Sequence, residues 1–378
     1  MLRLHGAIRH ISSSRVVVAA LYGSLVLCVA SLLLAQGDPK TATLEQAGWD
    51  AIRAGQPEAA AQAFSEAVSR EPRNPRLHLG AGTAAFLQRR DADAQQSLER
   101  ALQLDAKLVS ARSLLGLVVY RRGDVAMAIR VYEQLVIETP DDEQARTTLD
   151  RWRREWDLHA SMRQTVDTHF TVSVEGPDEA DLAAKAVELL ERAYWRIGDI
   201  LAAYPPTWIP VVLYTEQQFR DITRSPSWAA GAYDGTIRIP VRGALENPKE
   251  LERILTHEFA HALVHSLGPR GVPTWLHEGV AAALESEDLS WANDRVRTAG
   301  AIISLDSLQT SFARLSGDDA RLAYATSAII VHRLIGDVGG PAVASLLRDL
   351  GKGTEFDIAF ERHTHRSWRD LQSGLAVP

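Results

Sequence analysis

The sequence contains very little sulphur, and this shortage excludes several classes of site at once. One cysteine and three methionines occur in 378 residues. The lone cysteine, Cys28, cannot form an intramolecular disulfide, so a disulfide-stabilised scaffold is excluded. No methionine follows Met162. A metal site in the part of the chain after residue 162 must therefore be built from nitrogen and oxygen ligands.

The chain also lacks an excess of positive charge. Lysine and arginine number 41 against 48 acidic residues, which gives a formal net charge of -7. Without a basic field that attracts a phosphate backbone, we expect no nucleic-acid partner. Hydrophobic residues at 46% and charged residues at 24% are values of a folded globular chain. With roughly 150 residues per domain, the length predicts two or three folded units.

One uninterrupted apolar run stands near the N-terminus, at residues 16–35. As a helix with a rise of ~1.5 Å per residue it spans ~30 Å, the thickness of a bilayer core. Arg3, Arg9 and Arg15 precede it, so the positive-inside rule keeps the N-terminus in the cytoplasm. We predict a signal anchor at 1–37, with the remaining chain exported across a bacterial inner membrane. A cleaved signal peptide, and hence a secreted protein, is the alternative.

Residues of fixed size recur every 34 positions between about 41 and 140. Glycines, alanines and large apolar residues each align three times: Gly48, Gly82, Gly116; Ala60, Ala94, Ala128; Phe64, Leu98, Tyr132. Small residues let two antiparallel helices approach closely, and the large residue fills the space between them. At these positions the segment resembles the tetratricopeptide repeat. Residues 41–162 are therefore predicted to be an all-α superhelix of three repeats and a capping helix ending near Ser161.

The resemblance to tetratricopeptide repeats implies a concave groove that binds a peptide or a partner protein. The alternative is that the repeats only space or orient the domain that follows. The sequence itself does not distinguish these two roles.

A helix with clear ends is predicted at about 248–267. Asn247 caps it, Pro248 occupies its first turn, and a Gly-Pro pair ends it. His257 and His261 are four residues apart and therefore share one face of this helix. That spacing suits two nitrogen ligands of one tetrahedral metal ion at ~2.0–2.1 Å.

Glu258 lies beside this histidine pair, where it can accept a proton from a water molecule. Composition alone predicts about 0.02 occurrences of the pattern His-Glu-x-x-His in this chain, so chance does not explain it. A catalytic zinc site needs a third protein ligand and an open fourth position. Glu278, seventeen residues after His261 on a second predicted helix, can supply that ligand.

The segments HEFAH and WLHEG together resemble the gluzincin metallopeptidases, and most closely the peptidase MA-like domains that follow repeat modules in bacterial proteins. The resemblance implies an α+β, zincin-like and thermolysin-like domain at 165–378. It also implies Zn²⁺ held by His257, His261 and Glu278, with Glu258 as the general base. In this fold a strand at the sheet edge, here near residue 237, pairs with the substrate backbone.

Two other histidines, His265 and His277, are less suitable as ligands. His265 is two helical turns, or ~11 Å, from His257, which makes a shared ion implausible. His277 lies on a different helix face from Glu278. The metzincin class is excluded because Leu267 stands where its third histidine would be, and no methionine follows.

The resemblance implies a tyrosine or histidine from a later helix that stabilises the oxyanion. Tyr324 is the first candidate and His332 the second. The alternative for Tyr324 is an ordinary structural role in the core. The thermolysin branch has an aspartate at the position of Ala282, where it orients a ligand histidine. In this chain another carboxylate must orient the histidine, and Glu285 and Asp288 are the candidates.

The expected architecture is multidomain: a membrane helix, an all-α superhelix and an α+β domain. Around the helix from Asp178 to about Tyr204 we predict strands at 169–176 and 209–214, then a strand near 237, and helices at 307–374. The expected function is a membrane-anchored, extracytoplasmic zinc endopeptidase acting on a peptide or protein. The alternatives are an envelope scaffold that binds peptides without turnover, and a hydrolase of another amide such as cell-wall material.

Overall fold

The computed structural model of this chain describes residues 38–175, 180–223, 231–241, 247–300, 303, 308, 312, 315, 317–368 and 370. The predicted membrane span lies outside these residues. Within them, no single helix combines the length and apolar composition of a membrane span. One bent helix pair, Gly317–Val338 with Gly340–Gly351 at 113°, meets both criteria when its two members are taken together.

A stack of antiparallel helices forms the first half of the described chain. Each repeat glycine faces the large residue of the following helix. A Cβ added to Gly48 would lie 2.6 Å from the Phe64 ring, and one on Gly116 would lie 2.2 Å from the Tyr132 ring. The small-to-large pairing predicted from the 34-residue period is thus the contact that sets the helix spacing. The helices are α1 (Pro39–Arg53), α2 (Pro57–Arg70), α3 (Pro75–Leu87), α4 (Asp91–Leu104), α5 (Val109–Arg121), α6 (Val125–Glu138) and α7 (Glu143–Ser161).

The last of these helices, α7, covers the apolar face that the third repeat leaves open. Its Trp152 is fully buried and stacks on Tyr120 at 4.7 Å between ring centroids. The same indole contacts the ring of Tyr132 at 4.4 Å. The α7 helix therefore closes the stack, as the expected capping helix would.

A mixed five-stranded sheet follows directly, because α7 ends at Ser161 and the first strand begins at the next residue. The strand order is β1-β2-β3-β5-β4, with parallel pairs in the centre and antiparallel pairs at both edges. The strands near 170, 209 and 237 agree with expectation, whereas β1 was not predicted. The strands are β1 (Met162–Val166), β2 (Phe170–Glu175), β3 (Ile209–Tyr214), β4 (Ala232–Tyr233) and β5 (Ile237–Pro240).

The strand near residue 237 is not at the edge, which corrects the expectation. This strand, β5, lies between β3 and β4, and the two-residue β4 forms the edge instead. Arg238 of β5 is buried between Ile237 and Ile239, so the strand shows no inward-outward alternation. Burial on both faces is the pattern of an interior strand.

Eight further helices surround the sheet in the described residues, and the core lies between them and the strands. The long α8, predicted from 178 to about 204, packs against β2 and α10. The helical pattern predicted from 307 resolves into three separate helices. The helices are α8 (Ala180–Leu201), α9 (Glu216–Thr223), α10 (Pro248–Leu267), α11 (Thr274–Leu284), α12 (Ser290–Ala299), α13 (Gly317–Val338), α14 (Gly340–Gly351) and α15 (Phe356–Thr364).

A buried ion pair joins the helical stack to the sheet. Arg238 of β5 lies 2.8 Å from Glu155 of α7, and their side chains are 6% and 0% exposed. The Tyr120 hydroxyl donates to Glu155 at 2.6 Å, and Arg238 donates to the Tyr214 hydroxyl at 2.7 Å. Burial alone would lower the pKa of Arg238, but the nearby carboxylates of Asp234 and Glu155 outweigh it and raise that pKa. The guanidinium therefore stays charged and holds the two units together.

Replacing Arg238 with methionine should destabilise the protein by about 3–5 kcal/mol, because the carboxylate of Glu155 would remain buried without a countercharge. The measurement is chemical denaturation of the full chain followed by tryptophan fluorescence. Arg238→Met combined with Glu155→Gln should recover much of the loss, since the neutral amide still accepts from Tyr120. Equal stability of wild type and Arg238→Met would contradict a structural role for the pair.

Candidate metal centre

Helix α10 carries the histidine pair into the interior of the second unit. The side chain of Asn247 accepts from the backbone N–H of Glu250 at 3.3 Å, and Gly268 ends the helix as predicted. Apolar neighbours such as Phe259 and Leu263 are fully buried on this helix. Because these residues anchor α10 in the core, the position of the histidines is set by packing and not by a loop.

Three donor atoms from α10 and α11 converge. The Nε2 atoms of His257 and His261 lie 3.1 Å apart. The Oε2 atom of Glu278 is 3.4 Å from the Nε2 of His261 and 3.9 Å from that of His257. The structure thus brings together the three residues that the sequence analysis selected as ligands.

A glycine next to the carboxylate ligand brings a third helix close. A Cβ on Gly279 would lie 2.7 Å from the backbone oxygen of Ser327 on α13. The packing of α11 against α13 depends on this missing side chain. It is this close approach that brings Tyr324 of α13 to Glu278.

The donor set fits a tetrahedral zinc ion. Two ligand atoms at ~2.0–2.1 Å from a tetrahedral ion are ~3.3 Å apart, close to the spacings seen here. Burial alone would raise the pKa of Glu278, but the neighbouring His261 and His257 lower it to about 2. The carboxylate is therefore ionised, as a metal ligand must be.

Glu285 orients the first of the two histidines. Its Oε2 atom accepts from the Nδ1 of His257 at 2.7 Å, which leaves Nε2 of that ring free to face the other donors. The same oxygen accepts from Arg253 at 3.0 Å, and Arg253 also donates to Glu250. A carboxylate behind a ligand histidine fixes the ring and raises its basicity. Of the two sequence candidates for this support, Glu285 provides it, whereas Asp288 bonds only to Ser286 and Ser290 within its own loop.

The carboxylate of Glu258 is enclosed. Its side chain is buried, and its Oε2 has no hydrogen-bond partner among the described residues. Burial raises the pKa of Glu258 to about 7, and the charges of Glu278 and Glu285 act in the same direction. A carboxyl group whose pKa lies near neutrality is suited to both accepting and releasing a proton.

Gly231, which the sequence analysis did not select, packs against this carboxylate. A Cβ on Gly231 would lie 2.5 Å from the Oε1 of Glu258. The backbone that leads into the edge strand β4 is thus in contact with Glu258. The glycine-rich segment AGAYDG suggested a turn but gave no indication of this long-range contact.

Tyr324 reaches the site, whereas His332, the second candidate, does not. The Tyr324 hydroxyl is hydrogen-bonded to Glu278, and burial together with the charges of Glu278 and Glu258 raises the pKa of this tyrosine. Its ring also packs edge-on against Phe312 at 5.2 Å. His332 lies eight residues further along α13 and is exposed.

The two remaining histidines stand outside the cluster of donors. The ring of His277 stacks on that of His261 at 4.6 Å, and burial lowers the pKa of His277 to about 4. His265 contacts the ring of Tyr233 at 5.6 Å near the end of α10. Neither belongs to the group of potential metal ligands found in the described part of the chain.

Comparison with known proteins agrees with the order of the two units. Residues 201–364 match the family model described as the peptidase MA superfamily. Residues 46–108 and 92–143 match the tetratricopeptide repeat. The predicted order of repeats and an MA-type domain is thereby confirmed. No curated protein matches the chain. The solved structure titled "First TPR of Spaghetti (RPAP3) bound to HSP90 peptide SRMEEVD" is 20% identical over 32% of this chain and 99% of its own, with a TM-score of 0.31.

Replacing Glu285 with alanine should weaken zinc binding by about tenfold to a hundredfold, because His257 would lose the group that orients it. Competition with a chelating dye measures this affinity. Asp288→Ala is the matched control, since it removes a carboxylate from the same loop without touching the histidine. Equal affinities for Glu285→Ala and Asp288→Ala would show that Glu285 does not support the site.

Replacing Gly231 with alanine should displace the carboxylate of Glu258 while leaving the metal ligands in place. We expect turnover to fall by about tenfold to a hundredfold, since displacements near 1 Å have effects of this size. Zinc content should not change. The same substitution at Gly336, where a Cβ would meet nothing within 4 Å, should leave turnover unaltered. Full activity of Gly231→Ala would contradict the inferred contact.

Proposed function

We propose that this chain, which carries a peptidase MA superfamily domain behind tetratricopeptide repeats, is a zinc-dependent endopeptidase. The observation that carries the proposal is the convergence of His257, His261 and Glu278 beside the enclosed carboxylate of Glu258. Three ligands leave one position of a tetrahedral ion open, which distinguishes a catalytic site from a structural one.

His257, His261 and Glu278 would hold the metal in this proposal. When bound, Zn²⁺ lowers the pKa of a water molecule and polarises the carbonyl of the scissile bond. The hydrogen bond from His257 to Glu285 keeps the first ligand in the tautomer that presents Nε2. The stacking of His277 on His261 holds the second ring against rotation.

Glu258 would act as the general base. It is one residue from His257 on the same helix turn, yet it is not part of the donor cluster, so its carboxylate is free to accept a proton. It takes a proton from the attacking water and later delivers it to the leaving amine. Gly231 keeps the enclosing backbone close to this carboxylate.

Tyr324 would stabilise the oxyanion that forms when water adds to the amide carbonyl. Its hydroxyl donates to Glu278 in this structure. To act on the oxyanion, the hydroxyl must exchange this partner for the substrate oxygen. The edge-on contact with the Phe312 ring packs the tyrosine beside the site.

The repeats would recruit the substrate or a partner protein, and residues 16–35 would anchor the chain in a bacterial inner membrane with both domains on the outer side. A zincin-like, thermolysin-like arrangement agrees with the mixed sheet and the helix pair that carries the donors. An endopeptidase is favoured over an exopeptidase because the aminopeptidase branch needs a glycine-methionine-glutamate-asparagine segment, and no methionine follows Met162.

Glu258→Gln should retain zinc and lose turnover by several orders of magnitude, whereas His261→Ala should lose both the metal and the activity. The assay measures zinc content by elemental analysis and cleavage of a peptide mixture with and without chelator. Exposed His332→Ala serves as the control and should keep both properties. Wild-type protein without stoichiometric zinc would refute the proposal.

The same assay separates the alternatives. Cleavage of wall fragments but not of peptides would assign the site to another amide. Identical products from wild type, chelated protein and Glu258→Gln would indicate a scaffold that binds peptides without hydrolysis.

A further inference from the structure

One strained residue interrupts the regularity of the repeats. The turns between the two helices of each repeat place corresponding residues at positive φ: Gly55 at 70°, Arg89 at 57° and Gly123 at 85°. These three positions are 34 residues apart, so they are equivalent by the repeat period. Glycine adopts this conformation freely, whereas arginine does so only with strain. The second repeat therefore accepts backbone strain to place an arginine where its neighbours have no side chain.

The turns that contain these residues face the second unit. The carbonyl oxygen of Gln88, next to Arg89, accepts from Arg270 at 3.1 Å. Arg270 belongs to the loop after α10 and also lies 3.5 Å from Glu58 at the start of helix α2 in the first repeat. At the third repeat, a Cβ on Gly235 of the β4–β5 turn would lie 3.5 Å from the carbonyl oxygen of Arg121. The turn that contains Arg89 thus lies against the loop after α10, and the third repeat lies against the turn of the β4–β5 hairpin.

Strand β4 leads from this region to the metal centre along α10, because Gly231, just before the strand, lies against Glu258. Tyr233 of β4 contacts His265 of α10 between the repeats and the metal centre, with 5.6 Å between ring centroids. Burial is the largest cause that lowers the pKa of His265. The positive charge of the nearby Arg89 is the next largest. The guanidinium of Arg89 therefore lies near the repeat end of the contact between β4 and α10.

Arg89 has no ion-pair partner among the described residues. Its neighbour Arg121 is already paired with Asp91, donating to it from Nε at 2.7 Å, and also donates to the carbonyl oxygen of Phe86 at 3.0 Å. The next arginine, Arg90, is paired with Asp93. Although Arg89 is solvent-accessible, its surroundings remove enough water to lower its pKa. A strained, unpaired and partly desolvated guanidinium is suited to bind a carboxylate.

We propose that Arg89 of the second repeat is a specificity residue that binds an acidic group of the peptide substrate. The proposal rests on the endopeptidase function proposed above. His265 lies four residues after His261 and eight after His257, a distance along α10 of about 6–12 Å. An extended peptide covers this distance with about two to four residues. The acidic group therefore lies two to four residues from the scissile bond.

The test compares the full-length protein with three variants. Arg89→Gly removes the cation and restores the residue found at the equivalent turns, so it should raise the thermal unfolding temperature rather than impair folding. Arg89→Glu reverses the charge. Arg90→Ala is the matched control, because it removes the same charge from the same turn at a residue that is already paired.

Each protein is incubated with zinc and a random peptide library, and the cleavage sites are identified by mass spectrometry. One library has free C-termini and the other is amidated, so that an acidic side chain is distinguished from a terminal carboxylate. We expect wild type to prefer Asp and Glu over Asn and Gln about tenfold at one of these positions. The preference should disappear in Arg89→Gly, persist in Arg90→Ala, and shift to Lys and Arg in Arg89→Glu. In single-peptide assays, the loss should fall on KM with kcat little changed.

Two failures can be told apart. If no wild-type cleavage depends on zinc, the proposed endopeptidase function fails, and the role of Arg89 fails with it. If wild type cleaves peptides without an acidic preference, or if Arg89→Gly keeps that preference, the endopeptidase function stands and the role of Arg89 is wrong.

Discussion

The constraint on which the second unit depends is the enclosure of several ionisable groups in a mostly apolar interior. Two imidazoles and the carboxylate of Glu278 approach one another within 3.1–3.9 Å, while Glu258 is buried beside them. Such groups are costly to bury unless each has a partner. The surrounding structure supplies the partners: Glu285 for His257, Tyr324 for Glu278, and Arg253 for Glu285. The Nε2 atoms of the two histidines and the Oε2 atom of Glu278 face one another, and a cation among them would complete the charge balance.

The helical stack takes part in this arrangement and is more than an attached module. Glu155 of α7 is the countercharge of Arg238, and Arg238 lies on the strand that pairs with the edge strand β4. The position of the edge strand relative to α10 therefore depends on a residue from the repeats. Gly235 meets the third repeat, and Arg270 meets the first two. Each of the three repeats thus contacts the unit that carries the candidate metal centre.

Local chemistry explains which features could be predicted. The ends of α10 follow from a cap, a proline and a glycine, and the repeats follow from sizes that recur every 34 residues. The β1 strand escaped prediction because most of its residues are exposed at a sheet edge, where no apolar alternation is required. The burial of Arg238 could not be foreseen, since its partner Glu155 belongs to the other unit. The contact of Gly231 with Glu258 likewise depends on how the sheet packs on α10.

The selection of a substrate would depend on groups outside the cluster of donor atoms. Metal ligands and the general base act on atoms that every peptide bond shares, so they give no preference among sequences. Preference must come from side chains that contact the substrate away from the scissile bond. In this chain the turns of the repeats lie against the second unit, and the second repeat has Arg89 where the first and third have glycine. A repeat scaffold tolerates such changes because each turn is exposed and the helix contacts that hold the stack lie elsewhere. Substrate preference can therefore change at the turns without disturbing either the metal centre or the helix packing, provided that the Glu155–Arg238 pair keeps the two units in register.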